Sequence, residues 1–188
     1  MMYAADRVKL HLKSAKSNYR CFSVIDFETT GLSSVTCEVI EYAAVKVRDG
    51  EIVDSISHLC KPRYAIQPAI SSLTGITNDM VRNCEPFTFY LPQFLEFIQD
   101  DIVVAHNAPF DMGFLLAYCA QCGMMFPNKT ACTLAAARAA FPQLANHRLQ
   151  TVAEYLNVTS REQHRALGDA MATAKILIHI LNRHDVAV

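Results

Sequence analysis

No stretch of this 188-residue chain approaches the ~20 consecutive apolar residues that a membrane span needs. Its opening residues, MMYAADRVKLHLKSAKSNYR, lack the apolar core of a signal peptide. Charge is scarce as well: charged residues make up 19% of the chain, against about 25% in ordinary soluble domains, and the formal net charge is −1. With no excess of either sign, a non-specific nucleic-acid coat protein is not expected, nor is one drawn by bulk charge to acidic lipid. Repeats and low-complexity segments are absent. The seven cysteines are scattered, and Cys119-Ala-Gln-Cys122, the one pair at zinc or redox spacing, has no second pair and no spaced histidines to complete it. Lying in an apolar helical run, that pair reads as buried free thiols, and the chain as a reduced, cytoplasmic protein.

What is present is apolar material, 52% of residues, enough to fill the core of one full-sized domain. Residues 1–20, with Arg7, Lys9, Lys13, Lys16 and Arg20, read as a basic N-terminal extension, and 21–188 as the domain. Strand character covers about 21–28. EVIEYAAVKV and EIVDSISHLC flank an Asp49-Gly50 hairpin turn, so they are expected to pair antiparallel. The 61–80 connection, with Pro62 and Pro68, allows only short helices. Helical spacing of Leu91, Phe94, Leu95 and Ile98 predicts a helix over 87–99. DIVVAHN reads as a central strand running into a helix from Pro109 to Gly123; a short strand is expected at 129–133 and helices near 133–140, 148–157 and 165–183. The fold class is α/β, a mixed sheet with helices packed on it.

The segment FSVIDFETTGL, 22–32, places two acids on one face of a strand. Side chains alternate, so Asp26 and Glu28 continue the row begun by Phe22 and Val24. Like charges leaving an apolar row need a compensating partner, most simply a divalent cation. Asp111 falls in the first turn of the helix after the central strand, where an acid also complements the helix dipole. Asp169 lies on a helix that is apolar on most sides, and a carboxylate there needs a partner or a metal. His164, five residues earlier, is a cap, a surface residue or a proton acceptor. Each is weak singly. Together they form an oxygen-only ligand set that selects Mg²⁺ or Mn²⁺, with enough carboxylates for the two ions used in displacement at phosphorus.

Three ordered motifs, DFETTGL at 26–32, AHNAPFDMGFL at 105–115 and HRALGDA at 164–170, together with LTGIT at 73–77 and CTLAAAR at 132–138, carry a family resemblance. The chain resembles the DEDDh (DnaQ-like) 3′–5′ exonucleases, among them the epsilon proofreading subunit of bacterial DNA polymerase III. The resemblance implies a ribonuclease-H-like fold, a five-stranded mixed sheet flanked by α-helices. It implies two divalent cations held by Asp26, Glu28, Asp111 and Asp169, with His164 as general base, and release of nucleoside 5′-monophosphates from single-stranded 3′ ends. DNA is favoured and RNA is open, since small RNA-trimming members share these residues.

The same resemblance places Thr29, Thr30, Leu32, His106, Asn107 and Phe110 against the terminal nucleotide. Their plainer roles are loop shaping for the threonines, packing for Phe110 and helix capping for Asn107. Thr74 stands where the epsilon subunit has a histidine. The competing expectations are a catalytically idle exonuclease fold used as a binding module and a hydrolase of small phosphate compounds. The five intact site residues argue against the first, and Leu32 and Phe110, fitted to a base, against the second.

Overall fold

The computed structural model describes residues 21–159 and 164–185, so the basic extension expected over 1–20 lies outside them. Strands β1 (Cys21–Thr29), β2 (Val39–Arg48) and β3 (Glu51–Leu59) form an antiparallel meander. Asp49 and Gly50 join β2 to β3 with φ of 52° and 83°, the left-handed pair that matches a two-residue turn to strand twist. Strand β4 (Ile102–Ala105) pairs in parallel with β1, and β5 (Thr130–Cys132) with β4. The order is β3-β2-β1-β4-β5. The chain leaves β1 toward one side of the sheet and returns on the other, so the C-terminal ends of β1 and β4 border a switch point, where open α/β sheets bind ligands.

Helices α1 (Pro68–Thr74) and α2 (Asn78–Val81) occupy the first long connection. Helices α3 (Phe87–Ile98) and α4 (Ala108–Gln121) cover one face of the sheet. The remaining helices among the described residues are α5 (Thr133–Ala140), α6 (Leu149–Tyr155) and α7 (Ala166–Asp185). This is the expected five-stranded mixed sheet with flanking helices. The central strand is shorter than DIVVAHN suggested, because Asn107 turns into the left-handed region at φ 69° and starts α4.

Alternation along β1 divides the core. Ile25 and Phe27 face α3 and α4, among Tyr42, Phe87, Leu91, Phe94 and Phe114. Phe22 and Val24 face α7, whose Ala166, Ala170, Ala174 and Leu177 meet them; alanines let the helix lie close to the sheet. Its other side packs Ala172, Ile176 and Ile180 against α5 and α6. Asp26 and Glu28 therefore emerge toward α7. All seven cysteines are free; Cys119 is buried, but Cys122, expected inside, is exposed, because it caps the end of α4. No helix among the described residues is long and apolar enough to cross a membrane.

Candidate active site

The exit of β1 is shaped by a bulge. Glu28 lies opposite Glu41 and Thr29 opposite Val39, so Ile40 has no counterpart; an extra residue on one strand bends the pair and re-aims the side chains beyond it. Asp169, in the first turn of α7, meets the two β1 acids there. Asp26, Glu28 and Asp169 each bring a carboxylate oxygen within 4.8 Å of the others. Asp111, in the first turn of α4, stands beside this trio rather than in it, its Oδ1 accepting the Phe27 N–H at 3.2 Å.

Electrostatically the four acids act together. Burial, then Asp111, then Glu28 and Asp169 push the Asp26 carboxyl well above the usual range. Glu28 rises to about 7, through burial first and then Asp169 and Glu41, with Arg165 pulling the other way. Asp111 rises to about 8 by burial, against hydrogen bonds from its own and Phe27's backbone N–H groups. Asp169 rises by burial too, opposed by the neighbouring His164. Mutually repelling, partly desolvated oxygens with no nitrogen or sulfur donor fit a hard divalent cation. The residues present therefore fit a divalent cation, with Asp26, Glu28 and Asp169 converging and Asp111 beside them.

His164 sits in the left-handed region at φ 56° just before α7, and its Nε2 lies 3.2 Å from Gln150 Nε2 of α6. The threonine hydroxyls are committed to the loop after β1: Thr29 Oγ1 donates to Gly31 O at 2.7 Å, and Thr30 Oγ1 accepts from Glu38 N at 2.9 Å. Gly31 leaves room there for Cys37, whose Sγ lies 2.7 Å from where a Cβ would stand and would have to turn aside. That loop presents Leu32, which is 88% exposed. Phe110 is half-buried against Phe114, ring centroids 5.2 Å apart. Asn107 does begin α4, but its exposed side chain makes no capping hydrogen bond. His106 has both ring nitrogens engaged, Nδ1 with Thr133 Oγ1 at 3.0 Å and Nε2 with His147 O at 2.9 Å, tying β4 to α5 and to the approach to α6. Thr74 is buried and closes its own helix, donating to Ile70 O and accepting from Ile76 N.

Two site residues escaped the sequence reading, Glu41 and Arg165. Glu41 is 2% exposed and bound by Arg165 through Nε and Nη2, the latter at 2.7 Å. The signal was there: Glu41 falls in phase with Ala43, Val45 and Val47, an acid in a buried row.

The RNase T-type exonuclease family model matches residues 23–177, and the chain belongs to this exonuclease family. A PolC-type DNA polymerase III from Listeria innocua is 41% identical over 170 residues, 88% of this chain and 12% of the polymerase. The chain thus spans only 12% of the length of that relative. A solved structure of exonuclease X in complex with 5′ overhanging duplex DNA shares 30% identity at a TM-score of 0.74, covering 87% of this chain and 93% of that one. A zinc-bound E. coli ExoI–ssDNA complex superposes with a TM-score of 0.78 at 18% identity, over 90% of this chain and 42% of that one, a likeness of fold. The DnaQ-like resemblance drawn from the motifs holds at the level of the family.

Proposed function

We propose that this chain is a divalent-metal-dependent 3′–5′ exonuclease that releases nucleoside 5′-monophosphates from single-stranded 3′ ends, DNA before RNA. The observation that carries the reading is the acidic cluster itself. Three carboxylates converge within 4.8 Å at the exit of β1, with a fourth beside them, next to a loop that holds an apolar side chain out into solvent.

In this reading Asp26, Glu28 and Asp169 hold two Mg²⁺ or Mn²⁺ ions, and Asp111 serves them from α4. Ions bound there supply Lewis-acid activation of water and neutralise charge at the phosphate and the departing 3′-oxygen. His164 takes the proton from the attacking water, a task suited to an imidazole nitrogen as general base, and Gln150 fixes its ring. Leu32 from the loop and Phe110 from α4 grip the terminal base, while Thr29 and Thr30 hold the loop in shape around the 3′-hydroxyl. Asn107, exposed beside them, offers its amide to the terminal nucleotide, and His106 supports the wall behind. Cleavage breaks the P–O3′ bond, leaving the phosphate on the released nucleoside and a hydroxyl on the shortened strand.

A DNA polymerase relative and the DNA held by exonuclease X support DNA as the substrate. The test is degradation of 5′-labelled single-stranded DNA and RNA of equal sequence with Mg²⁺, with Mn²⁺ and with chelator. A ladder shortening from the 3′ end, abolished by chelator and faster on DNA, is expected. Intact oligomers from folded, metal-supplied protein would instead favour a binding module.

A further inference from the structure

Glu28 and Glu41 are direct cross-strand partners on β1 and β2. Like charges so placed repel and destabilise a sheet unless something lies between them. The compensating charge comes from Arg165. Its Nε reaches both Glu41 oxygens, at 3.2 and 3.0 Å, and its Nη2 reaches Oε1 at 2.7 Å. The backbone N–H of Ala166, first residue of α7, donates to Glu41 Oε2 at 2.9 Å. Glu41 thus spends both oxygens on the start of the helix that carries Asp169, and its side chain is only 3% exposed.

Arg165 is also a hazard to the site it borders. The Asp169 N–H bonds back to the Arg165 carbonyl at 3.0 Å, so the two residues lie one helical turn apart on one face. The guanidinium charge is felt at Glu28, where it opposes the upward push of burial and neighbouring acids. A guanidinium fork fits any carboxylate two-pronged. Swung from Glu41 onto Glu28, it would cover the oxygens a cation needs.

We propose that Glu41 is a positioning residue whose carboxylate locks Arg165 away from the metal ligand Glu28, keeping the acidic site open for a divalent cation. The inference rests on the cation reading of that site. A plain anchoring role for the pair makes a different prediction, because an anchor fails whichever half is removed, whereas a lock fails only when the restraint is removed and the guanidinium remains.

The test is Mn²⁺ binding by isothermal titration calorimetry on wild type, Glu41→Gln, Arg165→Gln and the double variant, each checked for folding by circular dichroism. Glu41→Gln is expected to weaken Mn²⁺ binding about tenfold or more, on the scale of lost supporting partners at metal sites. Arg165→Gln should leave affinity equal or higher, and the double variant should recover most of the loss. Equal weakening by both single variants, with no recovery in the double, would overturn the lock. If Glu41→Gln does not fold, Arg165→Gln decides alone: weakened binding overturns the proposal, and equal or tighter binding supports it. Wild-type protein that binds no Mn²⁺ would overturn the cation reading and the lock with it, whereas wild-type binding with an unaffected Glu41→Gln overturns the lock alone.

Discussion

Two buried carboxylate sites lie toward opposite ends of β1 and are completed in opposite ways. Asp101, 3% exposed just before β4, accepts the Ser23 hydroxyl at 2.5 Å and the Arg48 guanidinium at 2.9 Å, so its charge is balanced inside the chain. At the other end burial raises Asp26, Glu28, Asp111 and Asp169, neighbouring acids add to it, and the nearby guanidinium of Arg165 is held by Glu41. A balanced buried acid is part of the scaffold. An unbalanced group of them stores repulsion that an outside cation relieves, which is how a site for chemistry differs from a structural ion pair.

The contrast is sharpest under substitution of Asp26. Asp26→Asn should abolish release of mononucleotides while raising the melting temperature of metal-free protein, because one repelling charge is gone. Near-normal cleavage of a labelled oligomer by this variant would remove the two-metal assignment. His164→Ala should lower kcat by about 100- to 10,000-fold, the usual worth of a general base, with Mn²⁺ affinity close to wild type; a shift confined to KM would deny it the proton-transfer role. The mirror experiment is Asp101→Asn. Breaking that pair should cost about 3 kcal/mol of stability by urea denaturation, yet leave the rate per folded molecule unchanged.

Acidity offers a gentler probe of the same difference. Glu28 moves from 4.5 to about 7 and Asp111 from 3.8 to about 8 on folding. The folded state therefore binds more protons than the unfolded one in that window, so metal-free stability should fall as pH rises from about 4 to 8. Saturating Mn²⁺ should raise the melting temperature more at pH 8 than at pH 5, and an equal rise at both would contradict a cation bound by these acids. Smallest is Leu32→Ala. Being 88% exposed, Leu32 should change stability by less than about 0.5 kcal/mol while raising KM for the oligomer; an unchanged KM would free it from the substrate.

Most of the sheet was legible because its signals are local. Asp49-Gly50 marked the hairpin, the apolar runs marked β1 and β4, and alternation alone put Asp26 and Glu28 on one face. Apolar residues on most sides of α7 announced its burial. The motifs and the family resemblance they carry set Asp26, Glu28, Asp111 and Asp169 together as one group, three of which lie within 4.8 Å of one another. They could not show that Asp111 stands one step aside, bound to the Phe27 N–H, because that depends on how α4 leaves β4. Nor could they show that both nitrogens of His106 are taken by Thr133 and His147, 27 and 41 residues away. Glu41 was hidden differently. Its phase with Ala43, Val45 and Val47 marked an acid in a buried row, but its partners follow only from the register opposite Glu28 and from Arg165, 124 residues away.

The pairing of β1 with β4 carries a consequence for how the molecule assembles. Phe22 meets Ile102, eighty residues away, and Glu41 meets Arg165, 124 residues away. The meander of β1, β2 and β3 closes early over short separations, whereas contacts so distant in sequence form late and slow the overall rate. Asp169 therefore joins Asp26 and Glu28 only when α7 docks. With α7 undocked, the row of Phe22, Val24, Ala43 and Val45 would lie bare, an apolar surface open to aggregation.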